Sequence, residues 1–235
     1  MRKNILLIFV IFVCLMPSTA RALDIANFDA LQTYPFGSSA ISVTAGDING
    51  DGYPDLVAAG IWTNEVVVSL NDGTGHFSFT GTYGVGQAPY KVQLGDMNGD
   101  SALDIVVANQ NYEINGTPHY GNEVSILLNR GDGTFLPAQN YGSSGNATRY
   151  LELGDIDGDG DLDVAVSDII QYGVRTYLND GNGVLSNEVN YPRSRSGDIK
   201  LADIDADGDL DLAISNGNDA TASILFNDGL GNLGG

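Results

Sequence analysis

Short apolar runs alternate with turns rich in Gly, Asn and Asp along most of this chain, and no stretch of it holds a helical 3.6-residue period. The runs fall into four similar units. In each, a first run enters an acidic loop, at residues 41–45, 90–94, 150–153 and 199–201. A second run leaves the loop at 56–59, 105–108, 164–167 and 212–215, and a third follows at 66–70, 124–128, 174–178 and 222–226. A tight turn then starts at Asn71, Asn129, Asn179 or Asn227, with Asn-Asp-Gly or Gly-Asp-Gly sequences that tolerate positive φ. A fourth run begins at Phe77, Phe135 or Leu185 and heads for Tyr83, Tyr141 or Tyr191. Four short antiparallel strands per unit predict an all-β chain of propeller blades. Successive loops start 49, 59 and 48 residues apart, at Asp47, Asp96, Asp155 and Asp203, a blade-sized period.

The last unit stops at residues 227–233, where its fourth strand should start, and residues 28–34 match the fourth-strand pattern. An N-terminal strand completing the last blade would close a four-blade ring and remove exposed sheet edges. Part of a longer array, such as a seven-blade propeller, is the other reading.

The loops carry the chemistry. Side-chain oxygens recur at loop positions one, three, five and nine: Asp47, Asn49, Asp51 and Asp55; Asp96, Asn98, Asp100 and Asp104; Asp155, Asp157, Asp159 and Asp163; Asp203, Asp205, Asp207 and Asp211. Position seven would add a backbone carbonyl from Tyr53, Ala102, Asp161 or Asp209. Such spacing wraps a short turn around a hard cation, with water completing about six to eight oxygens. Up to four structural Ca²⁺ ions are therefore expected; Mg²⁺ suits so flexible a cage less well. Glycine at position six permits the sharp turn, and Ser101 replaces it in the second loop, which should bind most weakly. Four carboxylates rather than three should make the third and fourth sites tighter. An EF-hand would need a bidentate Glu at position twelve, but Ala58, Val107, Val166 and Ile214 stand there.

Charge follows from the loops. Of the 30 acidic residues, the four loops hold three, three, five and five Asp, against 10 Lys and Arg in the whole chain, for a net charge of -20. Phosphate backbones and anionic membranes are poor partners for such a surface. A hydrophobic content of 43%, interleaved with the acids, excludes a disordered acidic tail.

Residues 1–22 read as a secretory signal: Arg2 and Lys3, an apolar stretch from Ile5 to Met16, and Ala20-Arg21-Ala22 as a cleavage site. The mature domain is then 23–235, secreted, periplasmic or at the cell surface, with no membrane insertion. Cleavage removes Cys14, the single cysteine, so no disulfide staples the product and bound metal would take that role.

The core Gly-Asp-[Ile/Met]-[Asn/Asp]-Gly-Asp-Gly-x-x-Asp-[Leu/Ile/Val] is complete at residues 46–56 and 154–164. Ser101 interrupts it in the second unit, and Ala202 and Ala206 in the fourth. With the trailing Asn-Asp-Gly-x-Gly-x-Phe element, this pattern resembles the FG-GAP/VCBS repeat family, the β-propellers of which the integrin α-subunit head is an example. The resemblance covers essentially all of 23–235. It implies calcium in the loop between the first two strands of each blade and partners on the opposite face. Seven blades are usual in the family, where four units are visible here.

Little in the sequence suggests catalysis. His76 and His119 lie in different units, no nucleophile elbow, zinc-type His pair or phosphate loop is present, and the Asp residues are committed to metal. The second unit carries an extra stretch, residues 110–121, with Tyr112, His119 and Tyr120; Trp62 occupies the equivalent connection of the first unit. Aromatic side chains there suit a protein or carbohydrate ligand. Asn115-Gly-Thr117 and Asn146-Ala-Thr148 fit the glycan acceptor pattern. The expected function is an extracellular calcium-binding adhesion or binding module. An enzyme module acting on glycans or lactones, or a truncated piece of a larger propeller protein, is the alternative.

Overall fold

The computed structural model describes residues 33–34, 36, 39–110, 112–114, 117–119, 122–144, 148–168, 173–192, 196–217 and 219–234. The expected signal sequence at 1–22, most of the expected closing strand at 28–34, and Tyr120, Asn115 and Asn146 lie outside the described residues.

Every regular element among the described residues is a strand. The first sheet runs β1 (Ala40–Gly46), β2 (Asp55–Gly60), β3 (Glu65–Asn71) and β4 (Phe77–Gly84), in that order and antiparallel throughout. In the second blade, β5 (Pro89–Gly95) and β6 (Asp104–Asn109) are followed by a hairpin of β7 (Tyr112–Ile114) and β8 (Thr117–His119). The blade then resumes with β9 (Glu123–Leu127) and β10 (Gln139–Gly142). The third blade holds β11 (Thr148–Gly154), β12 (Asp163–Asp168), β13 (Gly173–Asn179) and β14 (Leu185–Pro192). The fourth holds β15 (Ser196–Ala202), β16 (Asp211–Asn216) and β17 (Thr221–Leu225). Two expectations change. The extra stretch of the second unit holds a two-stranded hairpin that pairs Tyr112 with His119, a regular element beyond the four expected strands. The fourth strand expected at Phe135 is interrupted: Phe135 makes an isolated bridge to Asn129, and pairing resumes only at Gln139. Pro137, which lacks an N–H, lies in the gap.

The core lies between blades rather than within one. Ile48, Val57, Val66 and Val68 of the first blade meet Val92, Ile105, Val107 and Leu127 of the second. Met97, Val106 and Ile126 then meet Leu151, Val164 and Tyr177, and Ile156 and Val174 meet Ile199, Leu212 and Leu225. A central blade is thus apolar on both faces, so β6 and β12 are buried at every position. This explains why their sequences are continuous apolar runs instead of alternating ones. Each such Val, Leu or Ile contributes about 1.5–3 kcal/mol when fully buried. The first strands β1, β5, β11 and β15 pack side by side along the inner edge. No strand pairing joins the first and last sheets among the described residues.

The first strand of each blade carries a register irregularity near its start, at Ala40/Ser42, Pro89/Lys91, Thr148/Tyr150 and Ser196/Ile199. A bulge leaves one residue unpaired and re-aims its side chain. Here the displaced residues include Ile41, Tyr90 and Arg149, at the end of the blade away from the acidic loop.

Candidate metal centres and the opposite rim

Each acidic loop joins the first two strands of its blade, and its first Asp organises the turn. Asp47 Oδ1 accepts the Gly50 and Asp51 N–H groups at 2.8 and 3.1 Å, and Oδ2 accepts Gly52 N–H at 2.8 Å. Asp155 accepts Gly158 and Gly160 N–H at 2.8 and 3.0 Å, and Asp96 accepts those of Asp100 and Ser101 at 3.2 and 2.8 Å. Position five caps position seven, two residues on: Asp51, Asp100, Asp159 and Asp207 accept the N–H groups of Tyr53, Ala102, Asp161 and Asp209. The loop therefore holds its oxygens in place through its own backbone.

Oxygens converge as the spacing implies. Ligand atoms of Asp155, Asp157 and Asp159 lie within 4.8 Å of one another, as do those of Asp203, Asp205 and Asp211. In the first two loops an amide replaces one carboxylate, and Asn49 and Asn98 each donate to the position-five Asp, both at 2.9 Å. An all-oxygen donor set of this kind fits a hard divalent cation. Crowding shows in the titration: burial, then the charges of Asp159 and Asp155, raise the Asp157 carboxyl above its ordinary value. Lost hydration, then the charges of Asp207 and Asp211, does the same for Asp205.

Position seven behaves differently. A Cβ added at the hairpin glycine of the same blade would lie 2.7 Å from the Tyr53 ring at Gly73, 2.3 Å from the Asp161 carboxylate at Gly181, and 2.4 Å from that of Asp209 at Gly229. These side chains lean on the neighbouring turn, which leaves the backbone carbonyl as what position seven can offer a cation.

Position nine has a second task that the sequence did not disclose. Asp55, Asp104, Asp163 and Asp211 are fully buried. In each, one oxygen accepts the N–H of loop position two and the other the N–H of the Asn at or just after the end of the blade's third strand. For Asp163 these are Ile156 and Asn179, both at 2.8 Å; for Asp104 they are Met97 and Asn129 at 2.8 and 2.7 Å. Asp55 and Asp211 repeat the pattern. The Asn in turn donates across to the preceding blade: Asn129 to Ile48 O at 2.7 Å, Asn179 to Met97 O at 2.8 Å, Asn227 to Ile156 O at 2.6 Å. Each loop is thus fastened to its own third strand, and the first three are also fastened to the next blade.

Burial outweighs these two bonds and lifts the carboxyls of Asp104 and Asp163 from 3.8 to about 6; burial also raises Asp55. Below pH 4 these groups are protonated in both folded and unfolded chains. Between about pH 4 and 6 the folded chain keeps protons that the unfolded chain has lost, so raising the pH through this window weakens the metal-free fold. With chelator present, the melting temperature is expected to fall from pH 4.5 to 7; a metal-free melt that rises over this range would contradict the assignment.

Two loops carry backbone strain. Ser101 has φ 70° and Ala206 has φ 65°, where the equivalent glycines have φ values of 71–103°. A left-handed conformation costs a residue with a Cβ about 1–2 kcal/mol. Strain at Ser101 was expected, but strain at Ala206 was not, and it offsets part of the charge advantage of the fourth loop. Glycine there loses about 0.4–1 kcal/mol through the more flexible unfolded chain, so Ser101→Gly and Ala206→Gly should each stabilise by about 0.5–1 kcal/mol in denaturant titrations. A loss of stability in both would contradict the strain.

The other rim holds the ligand candidates. Trp62 lies exposed in the turn between β2 and β3, and Tyr112 and His119 are register partners in the β7–β8 hairpin. The bulges add a group that the sequence did not single out. The Arg149 guanidinium stacks 4.5 Å from the Tyr90 ring centroid and 5.6 Å from that of Tyr150, and donates to the Tyr90 hydroxyl. Aligning the four units would have shown Tyr90 and Arg149 at the same bulge position. Deeper at this rim, Arg175 pairs with Asp168 and Glu188 at 3.1 and 3.0 Å while itself buried, a cross-strand fastener and not a ligand group. His76 stands in an exposed hairpin turn, 3.9 Å from Asp72.

The profile of the FG-GAP-like repeat matches residues 47–107 and 96–166. No curated protein sequence matches the chain. Among solved structures, similarity extends to an Agrocybe aegerita lectin studied for its recognition of non-reducing terminal N-acetylglucosamine, at 22% identity and a TM-score of 0.56. That match covers 81% of this chain and 50% of the lectin chain. A Bacteroides uniformis protein named as a candidate 6-phosphogluconolactonase aligns at 12% identity and a TM-score of 0.58, over 85% of this chain and 57% of that one. The chain thus spans about half the length of these two structures. At such identities the likeness concerns the fold.

Proposed function

Because the chain belongs to the FG-GAP-like repeat family, we propose that it is an exported, calcium-loaded β-propeller module that binds glycans at the rim opposite its acidic loops. The observation that carries this reading is the division of labour between the two ends of the blades. One end gathers oxygens only, in loops whose third and fourth copies bring three carboxylates together. The other end presents the Tyr90–Arg149–Tyr150 stack and the exposed Trp62.

Asp47, Asn49, Asp51 and Asp55, with their counterparts in the other loops, would hold the ions, and the position-seven carbonyls would complete the set. Bound calcium supplies positive charge that relieves carboxylate repulsion and rigidifies the loop; it takes no part in a reaction. Aromatic rings offer flat apolar faces to sugar C–H groups, and a guanidinium offers a fork of donors to hydroxyls or carboxylates. The lectin with a similar fold supports a carbohydrate ligand over a protein one. Export rests on the signal-like sequence at 1–22.

Binding of the purified protein to an array of immobilised glycans, including N-acetylglucosamine-terminated ones, tests the reading. Saturable binding that falls at least about tenfold, a loss of about 1.4 kcal/mol, in Arg149→Ala or Trp62→Ala is expected. Binding unchanged in both variants, or no glycan bound, would contradict it. Turnover of a glycan or lactone in the same samples would favour the enzyme reading instead.

A further inference from the structure

We infer that the chain associates with a second copy of itself head to tail, the open face of the fourth blade seating against the open face of the first. Three features shared by the internal junctions, each altered at the two ends, carry this.

The first is volume. At every internal junction a glycine packs against two leucines of the next blade. A Cβ on Gly46 would lie 2.8 and 2.9 Å from Leu103 and Leu94; on Gly95, 2.8 and 2.9 Å from Leu162 and Leu153; on Gly154, 2.7 and 2.9 Å from Leu210 and Leu201. A methyl group does not fit there. Yet the fourth blade has Ala202 at the glycine position, and the first blade has Ala45 and Pro54 at the two leucine positions. The added methyl at one end is matched by lost volume at the other, so a blade front bearing two leucines would clash with Ala202 while the front of the first blade accommodates it.

The second is exposure. Val43 is 59% exposed, whereas its equivalents Val92, Leu151 and Ile199 are at most 1% exposed. Ile204 is 40% exposed against 1% for Ile48, Met97 and Ile156, and Ile224 is 44% exposed where Val68 and Ile126 are buried. Higher on the first blade, Ala58 and Val67 are already buried, so the open seat is the half nearer the acidic loops. A shallow apolar hollow lined by Ile199, Ala213, Ile214 and Ala222 continues the fourth-blade face.

The third is the fastening hydrogen bond. Asn129, Asn179 and Asn227 each donate both to their own blade and to the position-two carbonyl of the preceding one. Asn71 donates to Pro54 O in its own blade, and no cross-blade acceptor for it occurs among the described residues. Among the described residues, the Ile204 carbonyl has no equivalent donor. Head-to-tail contact would supply both partners, closing into a ring where the rotation between copies allows and otherwise propagating.

Sedimentation velocity of the purified protein with calcium present tests this. Self-association is expected to weaken about 100-fold in Ile224→Glu, through a buried unpaired charge, and comparably in Ala45→Leu, through the clash with Ala202. Adding Ala202→Gly to Ala45→Leu should restore it, because glycine at 202 leaves room for the leucine as it does at the internal junctions. Far-UV circular dichroism checks that the variants stay folded. A wild-type monomer at all concentrations, as when residues 28–34 of the same chain cover the face, would overturn the inference. So would association that survives both single variants, or a double variant that is not rescued.

Discussion

Asp163→Ala is expected to cost about 4 kcal/mol of folding stability even with all metal removed. The carboxylate is fully buried and accepts the N–H groups of Ile156 and Asn179 at 2.8 Å each. Alanine offers neither oxygen, which leaves both buried donors without their acceptor. Each orphaned buried donor costs about 1–3 kcal/mol, and the vacated volume adds to this. Against a total of about 5–15 kcal/mol for a folded domain, the loss is severe. It should lower the melting temperature by on the order of 10 °C. Asp159→Ala is the informative partner, because Asp159 is exposed and belongs to the acidic cluster. It should leave the chelated protein nearly unchanged and reduce only the response to calcium. Denaturant titration in chelator reads both; a wild-type midpoint for Asp163→Ala would show that position nine holds nothing without metal.

Calcium is expected to raise the melting temperature by about 20–40 °C. A ligand at a hundred times its dissociation constant stabilises by about 2.7 kcal/mol per site, so four sites supply about 11 kcal/mol. A domain of this size gains about 2–4 °C per kcal/mol. Relief of repulsion works in the same direction, since Asp157, Asp205 and Asp209 all have raised carboxyl values, from burial or lost hydration first and neighbouring carboxylates second. Magnesium at the same concentration should give a smaller shift. Superimposable melts with calcium and with chelator would remove the structural role of the ion.

The blade was legible because its signals are local. Loop oxygens, hairpin turns at Asn71 and its counterparts, and the apolar runs all lie within a few residues of one another, and apart from the interrupted strand after Phe135 the strands fall where the runs predicted them. What fastens one blade to the next was not legible. Asn129 reaches Ile48, Asn179 reaches Met97 and Asn227 reaches Ile156 across 81, 82 and 71 residues, and no short pattern encodes such a distance. The double service of Asp163 was hidden for the same reason: spacing marks it as a ligand, and only the fold shows that two backbone donors already use it. The β7–β8 hairpin was missed because its sequence, with Pro118 and an irregular polarity, lacks alternation. Strain at Ala206 could have been read by comparing the units, since Gly50, Gly99 and Gly158 stand at its position.

Isothermal titration of the chelated, purified protein with calcium tests the central claim most directly, that the acidic loops are cation cages. Saturable binding of up to four ions is expected, with the count reduced by one when Asp155 and Asp157 are replaced together by alanine. No heat of binding, or a stoichiometry untouched by that replacement, would contradict it.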